Sequence, residues 1–259
     1  DRGYQFGDGI DEVTSVFDGK LFMFEEHLDR LYSSAEKIKL EIPYTRDEIR
    51  GFHELLLEES GIKNTGIYLQ ITRGVAPRKH NFPKDSKPVL TMAIRPGDPL
   101  GAEKRAKGIE TILVDDIRWL RCDIKTLNLL GNVLAKQAAY EAGKGEAIQH
   151  RDGIVTEGSS TNFYVIKDNV LHTHPANNLI LPGITRIAVL KLCRENGIEV
   201  VEEPFTIDFM NQADEAFITG TTTDIMPVTK VSDVVMGNGT RGPITEKLQG
   251  LYTEMIKNA

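Results

Sequence analysis

Residues 146–166 read EAIQHRDGIVTEGSSTNFYVI and predict a β-hairpin at the centre of a strand-rich fold. The dipeptide Asp152-Gly153 separates the strands EAIQHR and IVTEGSSTNFYVI, and such a dipeptide is typical of a tight turn between antiparallel strands. The second strand is polar from Thr156 to Asn162, which the pattern of a half-buried strand does not explain. Such a conflict between pattern and composition often marks a functional site.

The chain around this hairpin alternates strands and helices. Upstream, IETILV at 109–114 predicts a strand, and a helix is expected over 129–141. Downstream, a helix over 184–195 begins at Pro182-Gly183, the strand AFITG at 216–220 leads into three threonines, and a last helix is expected over 245–256.

The first hundred residues predict a smaller α/β arrangement. IDEVTSVF and LFMF, at 10–17 and 21–24, flank Asp18-Gly19 and predict a second hairpin. An amphipathic helix over 24–40 carries Arg30, and a T-x-x-E capping box at Thr45 opens another helix that ends at Gly61. Two strands, GIYLQITRG and PVLTMAI, follow it.

Proline, glycine and charge gather without apolar periodicity in RPGDPLGAEKRAKG, residues 95–108. We place an interdomain linker there, at 99–108. The fold class predicted is α/β (α+β), with a smaller N-terminal α/β domain at 1–98 and a larger, mainly β domain with helices at 109–259.

Composition excludes several classes of function. Among 259 residues, 38 acidic against 31 basic side chains give a net charge of -7, so no basic field favours nucleic-acid binding. Cys122 and Cys193 have neither metal-ligand spacing nor a disulfide framework, which fits a reducing compartment. No apolar run is long enough to span a bilayer and the first residues do not resemble a signal peptide, so we expect a cytoplasmic protein without a membrane partner.

Three local patterns are compatible with ligand binding, although each has an ordinary explanation. Pro182-Gly183-Ile184-Thr185 offers a hydroxyl and backbone N–H groups for a phosphate, or simply caps a helix. The run Thr221-Thr222-Thr223 after Gly220 offers hydroxyls, or is an exposed turn. Arg78-Lys79-His80 offers a clamp for a carboxylate, or is a solvated loop.

Spacing alone selects no metal site and no catalytic lysine. The histidines lack H-E-x-x-H or other ligand spacing, and there is no G-x-S-x-G elbow or P-loop. Arg30 on an amphipathic helix is more often a surface ion-pair partner than a ligand, and Lys125 is one lysine among many.

Six ordered motifs together resemble one family over essentially the whole chain. They are DRGYQFGDG, EEHLDRLYSSAEKI, TRGVAPRKHNFP, DDIRWLRCDIKTLNLL, TEGSSTN and LPGITR. They resemble the fold-type-IV pyridoxal-phosphate enzymes, which include branched-chain and D-amino acid aminotransferases, aminodeoxychorismate lyases and R-selective amine transaminases. The R-x-H element formed by Arg78 and His80 resembles the D-amino acid branch.

The resemblance implies a role for each matched position. Lys125 would form the Schiff base with pyridoxal 5'-phosphate and then carry the proton, and Glu157 would keep the pyridine nitrogen protonated. The other cofactor-binding residues implied are Arg30, Ser160, Leu181, Gly183, Ile184, Thr185, Gly220 and Thr221. The substrate-binding residues implied are Asp11, Val13, Arg78, His80, Thr161 and Thr222, with Ser160 beside them.

The same resemblance implies a reaction and an assembly. The reaction would be ping-pong transfer of an amino group from a D-amino acid such as D-alanine to a 2-oxo acid such as 2-oxoglutarate. The cofactor would lie in the cleft between the two domains. Arg78 and His80 would reach the neighbouring subunit, so that a homodimer with shared active sites is required.

Two features depart from the family pattern. Members usually carry further strand-forming residues before the first motif, so we expect the first domain to lack its initial strands. Asp11 replaces a tyrosine that helps to hold the substrate carboxylate. An ionised Asp11 would repel that carboxylate unless it is held protonated, paired with Arg78 or turned away. Otherwise it would shift preference toward substrates that lack a carboxylate or carry a cationic side chain. Alternatively, strand alternation makes Asp11 a solvated residue on the face opposite Ile10.

Rival functions have their own distinguishing tests. An R-amine transaminase or an aminodeoxychorismate lyase is favoured if carboxylate recognition is weak, which activity on D-alanine against a simple R-amine decides. A non-catalytic cofactor-binding protein of the same fold would have an unreactive Lys125.

Overall fold

The computed structural model describes residues 1–95 and 102–259 as a mixed α/β structure. Its internal contacts form two compact units, Asp1–Pro99 with Ile124–Leu129, and Leu100–Asp123 with Leu130–Ala259. The linker predicted at 99–108 begins outside the described residues, and its later part forms a short helix, Ala102–Lys107. Ile124–Leu129 groups with the first unit, whereas the prediction assigned these residues to the domain at 109–259.

The first unit is a four-stranded antiparallel sheet with helices on one face. Its elements are α1 (Arg2–Phe6), β1 (Gly9–Phe17), β2 (Lys20–Leu21), α2 (Phe24–Lys37), α3 (Arg46–Ser60), β3 (Thr65–Thr72) and β4 (Val89–Arg95). The strand order is β2-β1-β3-β4. Apolar residues of β1, β3 and α2, among them Ile10, Leu28, Leu31, Leu69 and Ile71, form a continuous core.

Local sequence signals account for the turns and caps of this unit. Asp18 and Gly19 have φ angles of 49° and 80°, as the predicted two-residue hairpin turn requires. The capping box of Thr45 and Glu48 is confirmed, and Gly61 ends α3 in the left-handed conformation. The strand predicted at 21–24 is wrong beyond Leu21, because Met23 turns the backbone at a φ of 49° and α2 begins at Phe24.

The second unit contains a nine-stranded mixed sheet. Its elements are α4 (Ala102–Lys107), β5 (Ile109–Asp115), α5 (Leu130–Glu141), β6 (Glu146–Arg151), β7 (Ile154–Gly158), β8 (Asn162–Lys167), β9 (Val170–Thr173), α6 (Ile184–Glu195), β10 (Val200–Glu202), α7 (Ile207–Met210), β11 (Glu215–Gly220), β12 (Asp224–Val231), β13 (Val234–Val235) and α8 (Pro243–Lys257). The strand order is β10-β9-β8-β11-β12-β5-β6-β7, with β13 beside β12.

The hairpin predicted over 146–166 forms, with one correction. Asp152 and Gly153 turn the chain between β6 and β7 at φ angles of 48° and 80°. The predicted strand 154–166 is not continuous, because residues 159–161 form a turn that divides it into β7 and β8. The N–H of Gly158 donates to the carbonyl of Thr161 at 2.7 Å and closes this turn. This turn, rather than a half-buried strand, explains why residues 156–162 are polar.

Candidate active site

Lys125 lies beside β1 in the first unit. The segment that carries it pairs antiparallel with β1 through Ile10 and Thr126. The backbone N–H of Lys125 donates to Oγ of Ser34 on α2 at 3.2 Å. Its side-chain nitrogen Nζ lies 3.0 Å from Oδ2 of Asp11, and 19% of the side chain is exposed. The lysine is therefore held on a strand-like segment, and its side chain is partly exposed.

Asp11 is buried beside this amine. Its relative exposure is 4%, so the alternative that it is a solvated strand residue is wrong. Asp11 is paired with Lys125 rather than with Arg78. Val13 follows on the same face of β1, half-buried and opposite Tyr68 of β3. Asp11, Val13 and Lys125 thus share one side of the sheet, opposite the packed core.

Arg30 belongs to a buried ion-pair cluster rather than to the surface. Its Nε and Nη2 donate to the two carboxylate oxygens of Glu12 at 2.8 and 2.9 Å, and His27 Nδ1 lies 2.8 Å from the same carboxylate. Burial disfavours the charged form of Glu12, but Arg30 and His27 outweigh burial and lower its pKa to about 2. Burial lowers the pKa of His27, which opposes a second positive charge beside Arg30.

Arg78 and His80 lie in an exposed loop of the first unit. The Arg78 guanidinium stacks over the Phe6 ring at 4.9 Å, and the His80 ring lies 5.5 Å from the same ring. Within residues 1–95 and 102–259, neither side chain forms an ion pair with a carboxylate, and the ion pair of Asp11 is with Lys125. In this single chain, Arg78 and His80 are therefore associated with Phe6 rather than with Lys125.

Glu157, at the end of β7, accepts hydrogen bonds from three different residues of the second unit. Its oxygens accept hydrogen bonds from Arg118 Nη1, from Asn162 Nδ2 at 2.8 Å, and from the backbone N–H of Leu181 at 3.1 and 3.2 Å. Burial raises the pKa of Glu157 to about 7, although the Arg118 guanidinium acts in the opposite direction. This carboxylate is therefore fixed in place by three donors.

Arg118 links Glu157 to a second buried acid. Its Nε and Nη2 donate to Asp116 at 2.9 and 2.8 Å, and Arg151 also donates to Asp116 from two nitrogens at 3.1 Å. Two guanidinium groups thus neutralise two carboxylates in the interior. Neither Arg118 nor Asp116 was predicted, since a charged pair inside DDIRWLR carries no periodic signal.

The turn that carries Ser160 and Thr161 is anchored by Glu146. The hydroxyl groups of Ser159, Ser160 and Thr161 all donate to this buried carboxylate, the last two at 3.4 and 3.3 Å. Gly220 lies against the same turn, because a Cβ there would be 3.6 Å from the Ser160 carbonyl oxygen. Thr221 and Thr222 follow Gly220 in the turn between β11 and β12.

The start of α6 adjoins Glu157 through Asn162. Asn162 Nδ2 also donates to the Leu181 carbonyl at 2.8 Å, and a Cβ on Gly183 would lie only 2.1 Å from Asn162 Oδ1. A side chain at this position would therefore displace Asn162 from its contacts with Glu157 and Leu181. No side chain caps α6, so its first backbone N–H groups, at Ile184 and Thr185, face the space where a capping anion belongs.

The predicted residues thus form two groups. The second unit brings together Glu157, Ser160, Thr161, Leu181, Gly183, Ile184, Thr185, Gly220, Thr221 and Thr222. The first unit brings together Lys125, Asp11 and Val13 on one side of its sheet, whereas Arg30 is paired with Glu12 on the other side. Arg78 and His80 lie apart from both groups, beside Phe6. Glu12, Arg118, Asn162 and Glu146 were missed, although Asn162 lies inside the polar stretch that the pattern conflict had marked.

Within residues 1–95 and 102–259, no helix is both long and apolar enough to cross a membrane. No group of three or more histidine, cysteine or acidic side chains there is arranged to hold a metal ion.

Comparison with known sequences gives one family and several full-length relatives. The model of the family described as amino-transferase class IV matches residues 9–231. The D-alanine aminotransferase of Listeria monocytogenes serotype 4b (strain F2365) is 49% identical over 262 residues, covering 100% of this chain and 90% of that protein. The D-alanine aminotransferase of Staphylococcus epidermidis RP62A is 46% identical over 258 residues, covering 100% and 92%.

Solved structures with the same fold include two branched-chain amino acid aminotransferases. The Escherichia coli enzyme superposes with a TM-score of 0.92 at 29% identity, covering 98% of this chain and 87% of that one. A second such enzyme, from T.th. and with pyridoxamine 5'-phosphate, gives a TM-score of 0.92 at 27% identity, with coverage of 98% and 86%.

Proposed function

This chain belongs to the amino-transferase class IV family, and we propose that it transfers an amino group from a D-amino acid such as D-alanine to a 2-oxo acid such as 2-oxoglutarate, with pyridoxal 5'-phosphate as cofactor. The full-length similarity to D-alanine aminotransferases supports this substrate class. The same similarity disfavours an R-amine transaminase, an aminodeoxychorismate lyase and a non-catalytic protein. The observation that carries the proposal is the ion pair between Lys125, whose side chain is partly exposed, and the buried carboxylate of Asp11. Lys125 lies in the motif that resembles the one around the family's cofactor-binding lysine.

The side chains present fit this cofactor. Pyridoxal phosphate supplies, when bound, an aldehyde for amines, a ring that accepts electrons, and a phosphate. Lys125 offers the amine, Glu157 offers a fixed carboxylate for the ring nitrogen, and the uncapped start of α6 offers N–H groups for the phosphate. Gly183 leaves room for Asn162, which holds Glu157 and the Leu181 carbonyl beside the start of this helix.

In this proposal Lys125 performs two tasks with one nitrogen. Its Nζ holds the cofactor until the substrate amine displaces it, and the released amine then moves a proton at the substrate's α carbon. The strand-like pairing of Ile10 with Thr126 fixes the backbone beneath this side chain. Lys125 is thus held in position while its amine changes partners.

Glu157 would stabilise the protonated ring nitrogen. A carboxylate beside that nitrogen favours its charged form, and the protonated ring is the stronger electron acceptor. Arg118, Asn162 and the Leu181 N–H hold the carboxylate in one orientation. Its position therefore does not depend on the ligand.

The phosphate would be bound from several sides. Arg30 would contribute a guanidinium, Gly183, Ile184 and Thr185 the helix start, and Ser160, Leu181, Gly220 and Thr221 the neighbouring turns. On the substrate side we propose Asp11, Val13, Thr161 and Thr222. Arg78 and His80 would select for the α-carboxylate.

We propose a homodimer in which Arg78 and His80 serve the partner's site. In support, α5 and the loop before it in the second unit expose large apolar side chains, namely those of Ile117, Trp119, Leu120, Leu130, Val133 and Leu134. Gly131 lies against Arg118, which makes the loop and the helix neighbours. A patch of this kind is typical of an interface rather than of free surface. Buried, free Cys122 and Cys193 support a cytoplasmic location.

The decisive experiment combines cofactor trapping with a substrate panel. Borohydride reduction of the yellow protein should fix the cofactor on the peptide containing Lys125, and D-alanine but not L-alanine should donate its amino group to 2-oxoglutarate. Lys125→Ala should lose the adduct and at least about 10²–10⁴-fold in turnover. Lys191→Ala, at an exposed lysine of α6, serves as the control. A trapped adduct on any other peptide would exclude Lys125, and activity confined to simple R-amines would exclude the substrate class.

A further inference from the structure

Asp11 and Lys125 are direct cross-strand neighbours, although 113 residues separate them in sequence. The N–H of Asp11 donates to the carbonyl of Lys125 at 3.1 Å, and the N–H of Leu127 donates to the carbonyl of Gly9 at 3.1 Å. This antiparallel register places the two side chains on the same face. The ion pair thus forms between two side chains that the backbone already places next to each other.

The Asp11 carboxylate depends on Lys125 as its hydrogen-bond partner. Oδ2 lies 3.0 Å from Nζ, whereas Oδ1 is buried and has no hydrogen-bond partner within the described residues. A buried carboxylate with an unsatisfied oxygen is stable in its charged form only while a cation lies beside it. Burial raises the pKa of Asp11, and Lys125 is the largest influence that opposes this rise.

The other charged and titratable groups around Asp11 do not replace Lys125. Glu12, the next residue of β1, disfavours a second negative charge. Arg30 of α2 favours the charge less than Lys125 does, and its guanidinium is already bound to Glu12. Tyr68 of β3 is a phenol whose pKa is raised by its own burial and by Asp11. Loss of the charge on Lys125 would therefore leave Asp11 without a comparable stabilising partner.

We propose that Asp11 accepts the Nζ proton of Lys125 when this amine becomes uncharged, and that it then remains a neutral carboxylic acid. The N–H bond breaks at Nζ and an O–H bond forms at Oδ2, so that an ammonium–carboxylate pair becomes an amine beside an acid. No proton enters or leaves the pair. The inference rests on the proposed function, because it assumes that Lys125 is the lysine that carries the cofactor.

The consequence concerns substrate recognition. An ionised Asp11 would repel the carboxylate of a D-amino acid, and the low dielectric of a buried site strengthens this repulsion. A neutral Asp11 removes the repulsion and gains an O–H that can donate a hydrogen bond. The aspartate and the proposed D-amino acid specificity are then compatible in one site.

Difference infrared spectroscopy of the protein with and without pyridoxal phosphate tests this proton transfer. Binding should produce the C=O stretch of a protonated carboxylic acid, and the band should shift when the protein carries aspartate labelled with ¹³C at its side-chain carboxyl. The label distinguishes Asp11 from Glu12 and Glu157 without any substitution. The band should be lost in Asp11→Asn and retained in Asp18→Asn, which alters an exposed aspartate of the adjacent hairpin turn.

The outcomes separate this inference from the proposed function. If borohydride does not fix the cofactor on Lys125, the proposed function itself fails. If the cofactor is fixed there but no acid band appears, or the band does not shift with labelled aspartate, only the role of Asp11 is overturned. The labelled parent protein gives this answer even if Asp11→Asn does not fold. A band that survives in a folded Asp11→Asn protein would also overturn it.

Discussion

Glu12 of β1 binds Arg30 of α2 through both carboxylate oxygens, with N–O distances of 2.8 and 2.9 Å. The pair is buried and joins α2 to β1. Such a two-point contact orients the guanidinium as well as neutralising it. If Arg30 binds the phosphate as proposed above, Glu12 would be the residue that positions it.

We expect Glu12→Gln to remove an acid-sensitive part of the stability of the cofactor-free protein. The pKa of Glu12 is about 2 in the folded chain, below its ordinary value of 4.5, so its stabilising effect is present above pH 4.5 and disappears as the pH falls toward 2. The difference corresponds to about 3 kcal/mol. Urea unfolding from pH 7 to pH 2 should show this loss in the parent and in Glu59→Gln, an exposed control. An equal acid dependence in Glu12→Gln would contradict the assignment.

Arg118→Met should destabilise the protein by about 3–5 kcal/mol, because Asp116 and Glu157 would lose a buried cation. Arg121→Met is the matched control. Arg121 also pairs with an aspartate, but 47% of its side chain is exposed, and we expect a change below about 1 kcal/mol. Denaturant unfolding of both variants measures the difference. Similar losses of unfolding free energy in the two variants would mean that the buried ion pairs of Arg118 stabilise the protein no more than the exposed pair of Arg121.

Glu157→Gln should reduce turnover by about 10²-fold or more while changing cofactor affinity much less. The amide keeps the shape and some hydrogen bonds, but it cannot favour a protonated ring nitrogen by charge. Single-turnover kinetics and a cofactor titration separate the two effects. Glu199→Gln, at an exposed glutamate, controls for general perturbation. Unchanged turnover in Glu157→Gln would refute the role.

Arg78→Ala should raise the Michaelis constant for D-alanine by about 10- to 100-fold, since hydrogen bonds to a charged group contribute about 1.5–3 kcal/mol. Lys79→Ala, at the neighbouring exposed residue, should leave it within about twofold. Mixing Arg78→Ala with Lys125→Ala subunits tests delivery across a dimer. One site of each hybrid lacks both groups and the other lacks neither, so exchange should restore activity. Proven exchange without restored activity would rule out the shared site.

Leu134→Glu should weaken self-association, because it places a charge in the apolar surface on α5. Leu55→Glu on α3 is the matched control, since the two leucines are 50% and 56% exposed in the single chain. Sedimentation velocity over a range of concentrations should show a shift toward monomer for Leu134→Glu alone. A dimer of unchanged stability would place the interface elsewhere.

Short-range order was predictable from the chain itself. The turns at Asp18-Gly19 and Asp152-Gly153 follow from backbone preferences of the two residues involved, and the capping box at Thr45 follows from a spacing of three. The helix predicted at 184–195 begins and ends where expected. Mixed α/β architecture and membership of the family likewise follow from the order of strands, helices and motifs.

Tertiary structure decided which charged groups meet. Arg118 and Glu157 are 39 positions apart, and Asp11 and Lys125 lie far apart in the chain, so no local periodicity relates them. Their contacts arise because sheet register and burial force each carboxylate either to find a cation or to lose its charge. The polar composition of residues 156–162 is likewise explained only by the tertiary structure. A turn divides this segment, and three of its hydroxyl groups donate to Glu146. The sequence determined the local elements, whereas their packing determined the electrostatics of the site.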